Sequence, residues 1–267
     1  MDESDLLQSC AQRLGSPLDG RERRQLEGWW KGKREEAALL ADKLMARGES
    51  AWTEEILKHR AHRHPWYEEL AHDVSLEAFA AFLLENRAFP AFLPLVERAL
   101  EAQISEEGRA AVIRNINDEQ VPVPHTELMR RMMGAIKARV GDGIHLESFP
   151  SLVDRTLVFY YGYYCDSWHL IGSLYATEAM AQYRMSCMGQ GLRRLGFQPA
   201  DLEFIDVHLN CDDDHASDWS DGVVRPSIGL NPDLRAPIAQ GIASCLETSA
   251  RYLDDLSLRA RKAGASS

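Results

Sequence analysis

The segment Leu202-Glu-Phe-Ile-Asp-Val-His-Leu-Asn-Cys-Asp-Asp-Asp-His-Ala-Ser-Asp-Trp219 has the most informative spacing in the chain. His208, Asp212 and His215 stand at i, i+4 and i+7. At about 100° per residue, a helix gathers these three into a stripe roughly 60° wide. Phe204 and Trp219 extend the stripe at positions that a core-facing helix fills with apolar residues. Asp213 and Asp214 fall about 140° and about 120° from His208 and leave the seam. Three ionisable side chains therefore enter a buried face, where an uncompensated charge or polar group costs several kcal/mol. Imidazole and carboxylate are ligands that first-row divalent metals take. The stripe runs about 10 Å along the axis, which suits two metals sharing one helix. A mutually hydrogen-bonded His, Asp and His cluster, or a helix exposed there, is the alternative reading of the same spacing.

Outward from this segment, helical signals dominate. Arg34-Glu-Glu-Ala-Ala-Leu-Leu-Ala-Asp-Lys-Leu-Met-Ala combines strong helix formers with Leu39, Leu40, Leu44 and Met45 near one side. Val121-Pro-Val-Pro-His125 alternates like a short strand, but Pro122 and Pro124 remove two backbone donors and make it a helix break. Further breaks are expected at Gly48-Glu-Ser, Val140-Gly-Asp-Gly, Gly196-Phe-Gln-Pro and Arg225-Pro. The pattern predicts helices over 20–47, 51–61, 76–87, 91–102, 106–119, 125–139, 149–165, 169–195, 200–219 and 232–262, an all-α bundle. Residues 1–60, rich in Glu, Arg and Lys and carrying Trp29-Trp30, are expected to form a helical extension. It would pack on the main domain or on the second subunit of a homodimer.

Two other regions offer partners for the seam. Glu119 and His125 are six residues apart and would point about 120° from each other on one helix. With the prolines between them, the carboxylate can end one helix and the imidazole begin the next, both turned inward. Glu119 read alone is more often a solvated helix end. Glu178 lies in the apolar, small-residue run His169-Leu-Ile-Gly-Ser-Leu-Tyr-Ala-Thr-Glu-Ala-Met-Ala-Gln-Tyr183, where it needs a metal, a hydrogen bond or solvent. Leu174, Tyr175 and Gln182 share its helical face, which makes Tyr175 and Gln182 candidates for lining a substrate pocket. His169 falls on the opposite side and reads as structural. The run Phe159-Tyr-Tyr-Gly-Tyr-Tyr164 belongs either to such a pocket or to the core.

In this order, Glu119-x5-His125, Glu178 and His208-x3-Asp212-x2-His215 resemble the ligand set of the haem-oxygenase-like diiron oxidases. His64-Pro-Trp-Tyr-Glu-Glu-Leu, leading into Leu76-Glu-Ala-Phe-Ala-Ala-Phe-Leu-Leu-Glu, resembles that family's opening helices. The similarity reaches the Arg251-Tyr-Leu-Asp-Asp255 segment. It implies a haem-oxygenase-like helical bundle at 61–262 preceded by the N-terminal extension. It also implies two iron ions cycling between Fe2+ and Fe3+, with O2 as co-substrate. Glu119, His125, Glu178, His208, Asp212 and His215 would be the ligands and the catalytic centre, with Glu178 able to bridge the ions. The reaction implied is N-oxygenation, desaturation or oxidative carbon–carbon cleavage of a small molecule, with an amine or amino acid preferred. Ferritin-like diiron proteins use two inward Glu-x-x-His motifs plus two further Glu. Only Glu69-x-x-His72 matches that pattern here.

Composition narrows the alternatives. A net charge of -11 disfavours nucleic acid, and the most basic stretch, Lys58 to His64, reads as a short solvated helix face. The five cysteines, 10, 165, 187, 211 and 245, are odd in number and form no CxxC pair, so free thiols in a reducing cytosol are expected. Asp2, Glu3 and Asp5 replace the basic start of a leader, and no apolar run is long enough for a membrane span, so a cytoplasmic protein is expected. Two rivals remain at this level. One is a metal-free enzyme of the same architecture, of thiaminase or quinone-forming type, with Cys165, Cys187 or Cys211 as nucleophile. The other is a non-catalytic helical protein that binds a partner through its extension. The angular argument makes its own test: Asp212→Asn should lower iron binding, whereas Asp213→Asn and Asp214→Asn should leave it nearly intact. Equal losses at all three positions in an iron titration would refute the helical-face assignment.

Overall fold

In the computed structural model the described residues are 2–85, 92–141 and 149–264, of which 84, 85, 211–214 and 261–264 are described for their backbone only. The first helices are α1 (Glu3–Gln12), α2 (Gly20–Lys33), α3 (Ala38–Arg47) and α4 (Trp52–Lys58), followed by α5 (Pro65–His72), α6 (Leu76–Glu85) and α7 (Phe92–Ala99). Next come α8 (Glu106–Asp118), α9 (His125–Val140), α10 (Pro150–Cys165), α11 (Ser167–Ala179) and α12 (Ala181–Arg194). The chain ends with α13 (Glu203–Ser217), a π-helical segment Asp218–Val224, α14 (Arg225–Leu230) and the long α15 (Arg235–Gly264). The described residues contain no strand, as the all-α expectation requires.

Local chemistry explains the helix starts. Asp19 and Glu22 close a reciprocal capping box on α2, and Ser105 and Asp166 cap α8 and α11. His64 caps α5 with its ring: Nδ1 accepts from the Trp66 amide at 3.1 Å, while Nε2 lies 3.0 Å from Asp254 on α15. The Lys58–His64 stretch is thus not a solvated helix face, because Ala61, His62 and His64 are buried. Helices α1 and α5 fall outside the ranges that periodicity predicted. The expected single helix over 169–195 is broken at Met180, whose ψ of -5° ends α11 before α12 begins. The expected break at Arg225-Pro is absent, since Pro226 sits in the first turn of α14, where its missing amide donor costs nothing.

Three apolar clusters organise the interior. One gathers α3, α4, α7, α8, α11 and the middle of α15, and a second gathers α5, α6, α9, α12, α13 and the end of α15. Helices α11 and α15 cross at two glycines: a Cβ on Gly172 would stand 2.1 Å from the Ile238 carbonyl oxygen, and one on Gly241 would stand 2.1 Å from that of His169. Only glycine permits backbones this close.

The third cluster docks the first two helices onto α10. Trp29 Nε1 donates to Asp154 at 3.3 Å, Lys33 pairs with Asp154 at 2.8 Å, and the Tyr164 hydroxyl donates to the Cys10 carbonyl at 2.8 Å. Trp30 stacks on Tyr161 at 4.8 Å and meets the edge of His169 at 4.5 Å. The first residues therefore pack on the body of their own chain.

His169 is buried with neither ring nitrogen hydrogen-bonded, and burial pushes its imidazole down to about 4. The folded state therefore binds the proton less readily than the unfolded chain, whose ordinary value is 6.5. Stability should be fully present above that value and decline as pH falls towards 4, by about 3 kcal/mol at most. His169→Phe should flatten this part of the acid limb in urea titrations at stepped pH, whereas parallel curves for the two proteins would contradict the assignment.

Candidate metal centre

The connection between α8 and α9 turns on its prolines so that two acceptors converge. Glu119 caps the end of α8, Pro124 precedes α9, and the His125 amide donates to the Glu119 carbonyl at 2.9 Å, closing the turn. Side by side at the turn's mouth, Glu119 Oε2 and His125 Nδ1 are 3.1 Å apart. From α13, His208 Nε2 comes within 3.8 Å of Glu119 Oε1, and its ring centre lies 4.6 Å from that of His125. One ligand atom from each of these three buried residues lies within 4.8 Å of the others.

A second group stands beside the first. His215, two turns along α13, places Nδ1 3.7 Å from Glu178 Oε2, and Glu178 sits in the last turn of α11. Asn115 Nδ2 donates to Glu178 Oε1 at 3.4 Å, and Asp118 Oδ2 lies 3.3 Å from His215 Nε2. Five of the six expected ligands are therefore brought together in two groups. Asp212 lies on α13 between the two histidines, with its side chain outside the described residues.

The electrostatics match nitrogen and oxygen donors awaiting a cation. Burial pushes His208 down to about 3, with His125 contributing in the same direction. Its Nδ1 faces the Phe204 carbonyl at 2.7 Å, which leaves Nε2 turned to Glu119. Burial alone would depress His215 too, but the Glu178 and Asp118 carboxylates outweigh it and hold the ring up at about 9. Both ring nitrogens of His125 and Nδ1 of His215 are buried without a hydrogen-bond partner. Orphaned buried polar atoms of this kind are costly, and a divalent metal satisfies them directly. Glu119, His125 and His208 fit one such ion, and Glu178 with His215 offers two further donors beside it.

The site opens on a cavity of about 90 Å³. Glu119, Glu178 and His208 line it with Leu95, Phe159 and Met188, so its walls come from both large apolar clusters. Neither Tyr175 nor Gln182 lines it. The Tyr175 hydroxyl is 2.6 Å from Thr53 within the core, and Gln182 is exposed beyond the Met180 break, which turns its face outward. Of the aromatic run, Phe159 alone reaches the cavity. Asp118, Asn115, Arg155 and Arg184 were missed in the sequence: each, read singly, is an ordinary polar residue on a helix.

The sequence matches the family model described as iron-containing redox enzyme over residues 60–250. The chain belongs to that family. A crystal structure of a CADD-like protein of unknown function from Nostoc punctiforme shares the architecture, with a TM-score of 0.54 and 16% identity over 86% of this chain and 97% of that one. No curated protein matches the sequence. The fold of this family member is all-α and haem-oxygenase-like, and no helix among the described residues is long and apolar enough to cross a membrane.

Asp118 stands behind His215 where an outer carboxylate would fix a ligating imidazole. Its side chain is 56% exposed, so Asp118→Asn should leave the fold intact. It should weaken cobalt(II) binding by Glu178 and His215 roughly 10- to 100-fold while sparing Glu119, His125 and His208, as read by absorption titration. Unchanged cobalt(II) affinity would assign Asp118 to the surface alone.

Proposed function

We infer that the protein is an O2-activating non-haem diiron oxidase or oxygenase of a small molecule, an amine or amino acid. The reaction class is N-oxygenation, desaturation or oxidative carbon–carbon cleavage. One observation carries this reading: Glu119, His125 and His208 form one donor group, Glu178 and His215 a second, and members of both line one largely apolar cavity. Family membership supports iron as the metal. A bound pair of ferrous ions would supply electrons and open coordination positions for dioxygen.

The chain's own residues do the rest. His208 is held as the neutral tautomer that a ligand must be, with the Phe204 carbonyl fixing the ring. Asn115 and Asp118 orient Glu178 and His215 from behind. Phe159, Met185 and Met188 keep bulk water from the reacting bond. The thiol alternative finds no support, because burial pushes Cys165 up to about 11 and Cys187 upward too, and neither lines the cavity. The side chain of Cys211 is outside the described residues.

Anaerobic reconstitution should load close to two irons per chain, and admission of oxygen should then cause iron-dependent oxygen uptake. His208→Ala and Glu178→Gln should each lower the iron count and the uptake while far-ultraviolet circular dichroism stays helical. Folded wild-type protein that takes up one iron or none would end the dinuclear reading.

A further inference from the structure

The chain passes from α4 to α5 through residues 59–64, most of its basic stretch, and two histidines in this joint are built alike. His59 Nδ1 accepts from the Ala61 amide at 3.2 Å and His64 Nδ1 from the Trp66 amide at 3.1 Å, two residues on in each case. In both rings Nε2 faces a carboxylate of α15: Glu247 Oε1 lies 3.5 Å from His59, and Asp254 Oδ1 lies 3.0 Å from His64. Glu247 and Asp254 are seven positions apart, about two turns of one helix, so they present one face to the joint. Between the two histidines, His62 is buried with its ring centre 5.5 Å from that of Tyr183 on α12, and its Nδ1 has no hydrogen-bond partner.

Only an unprotonated ring nitrogen accepts from an amide, so His59 and His64 are both the neutral tautomer with hydrogen on Nε2. A second proton would turn Nδ1 into a donor aimed at a donor, which removes the cap of α5 and the turn at Ala61. The carboxylates pull the other way. At His64 that pull is shared, because Asp254 also pairs with Arg60 at 2.7 Å. At His59 burial outweighs Glu247, Arg60 and Lys43 add to it, and the ring is held below its ordinary 6.5. Burial and Arg63 push His62 down as well.

We propose that His59, His62 and His64 form a pH-sensitive latch, which fastens the joint between the first four helices and α5 to α12 and α15 at neutral pH and loosens it in mild acid. At His59 and His62 the folded joint binds a proton less readily than the free chain, so the latch is complete above 6.5 and is lost as pH falls below that value. Histidine is the side chain whose ordinary titration lies in this range. The inference does not depend on the diiron reading.

Hydrogen exchange of the full chain, with and without iron, tests this on peptides spanning 59–66, with rates corrected for the intrinsic effect of pH. Protection there should fall about tenfold between pH 7.5 and pH 5.5, the factor that one linked proton gives for one pH unit below 6.5. Peptides from the crossing of α11 and α15 should keep theirs. Asparagine bonds the amide two residues on through a side-chain oxygen that does not titrate. The double variant His59→Asn/His64→Asn should therefore hold its protection at pH 7.5 and lose most of the fall at pH 5.5. Long-range proton–nitrogen NMR at pH 7.5 should show hydrogen on Nε2 of both rings, and this decides together with the wild-type exchange should the double variant not fold. Hydrogen on Nδ1 overturns the proposal, as does protection that stays constant with pH or falls equally at the α11–α15 crossing. A fall in the double variant as large as in wild type overturns it too.

Discussion

Two carboxylates and three imidazoles sit where the two large apolar clusters meet, and the structure around them answers to that burial. Charges and orphaned ring nitrogens are expensive in such a place unless each finds a partner. Some partners are internal: the Phe204 carbonyl for His208, Asn115 for Glu178 and Asp118 for His215. Neither nitrogen of His125 makes a hydrogen bond, although Nδ1 lies 3.1 Å from Glu119 Oε2. The residual deficit at that ring is the physical reason to read the cluster as a metal centre and not as a self-sufficient polar network.

Three structural devices deliver the five donors. The closed turn after α8 brings Glu119 and His125 together from one short segment, so two donors arrive at the cost of ordering a single loop. Regular helical repeat along α13 delivers His208 and His215. The end of α11 delivers Glu178, and the break at Met180 then lets α12 turn a separate face, with Arg184, Met185 and Met188, onto the same space. Ligands and cavity wall are thus set by adjoining helices that meet at one discontinuity.

What was legible in the sequence follows from these devices. The stripe on α13 could be read because a straight helix obeys its own period, and the Glu119–His125 turn because proline announces itself. The Met180 break could not: Ala179, Met180 and Ala181 are good helix formers with neither glycine nor proline, and tertiary packing overrides their propensity. Carrying one helix through that point placed Gln182 on the pocket face, where the structure does not have it, whereas Tyr175, before the break, turns its hydroxyl to Thr53 instead of the cavity. The arginines were invisible for another reason. Arg155 and Arg184 are 29 positions apart, and only the packing of α10 beside the α11–α12 pair makes them neighbours in one cavity.

The crossing of α11 and α15 limits how this interior can accommodate a guest. With Gly172 and Gly241 seated against opposing carbonyls, sliding either helix by one residue would bring a side chain into backbone, so the pair acts as a fixed axle. Glu178 is carried on that axle. Adjustment to guests of different outline then falls to the unbranched side chains of Met129, Met185 and Met188, whose torsions change at little cost. A rigid donor frame facing a deformable methionine wall permits variety in the shape of what is bound while the position of the bond that reacts stays constant.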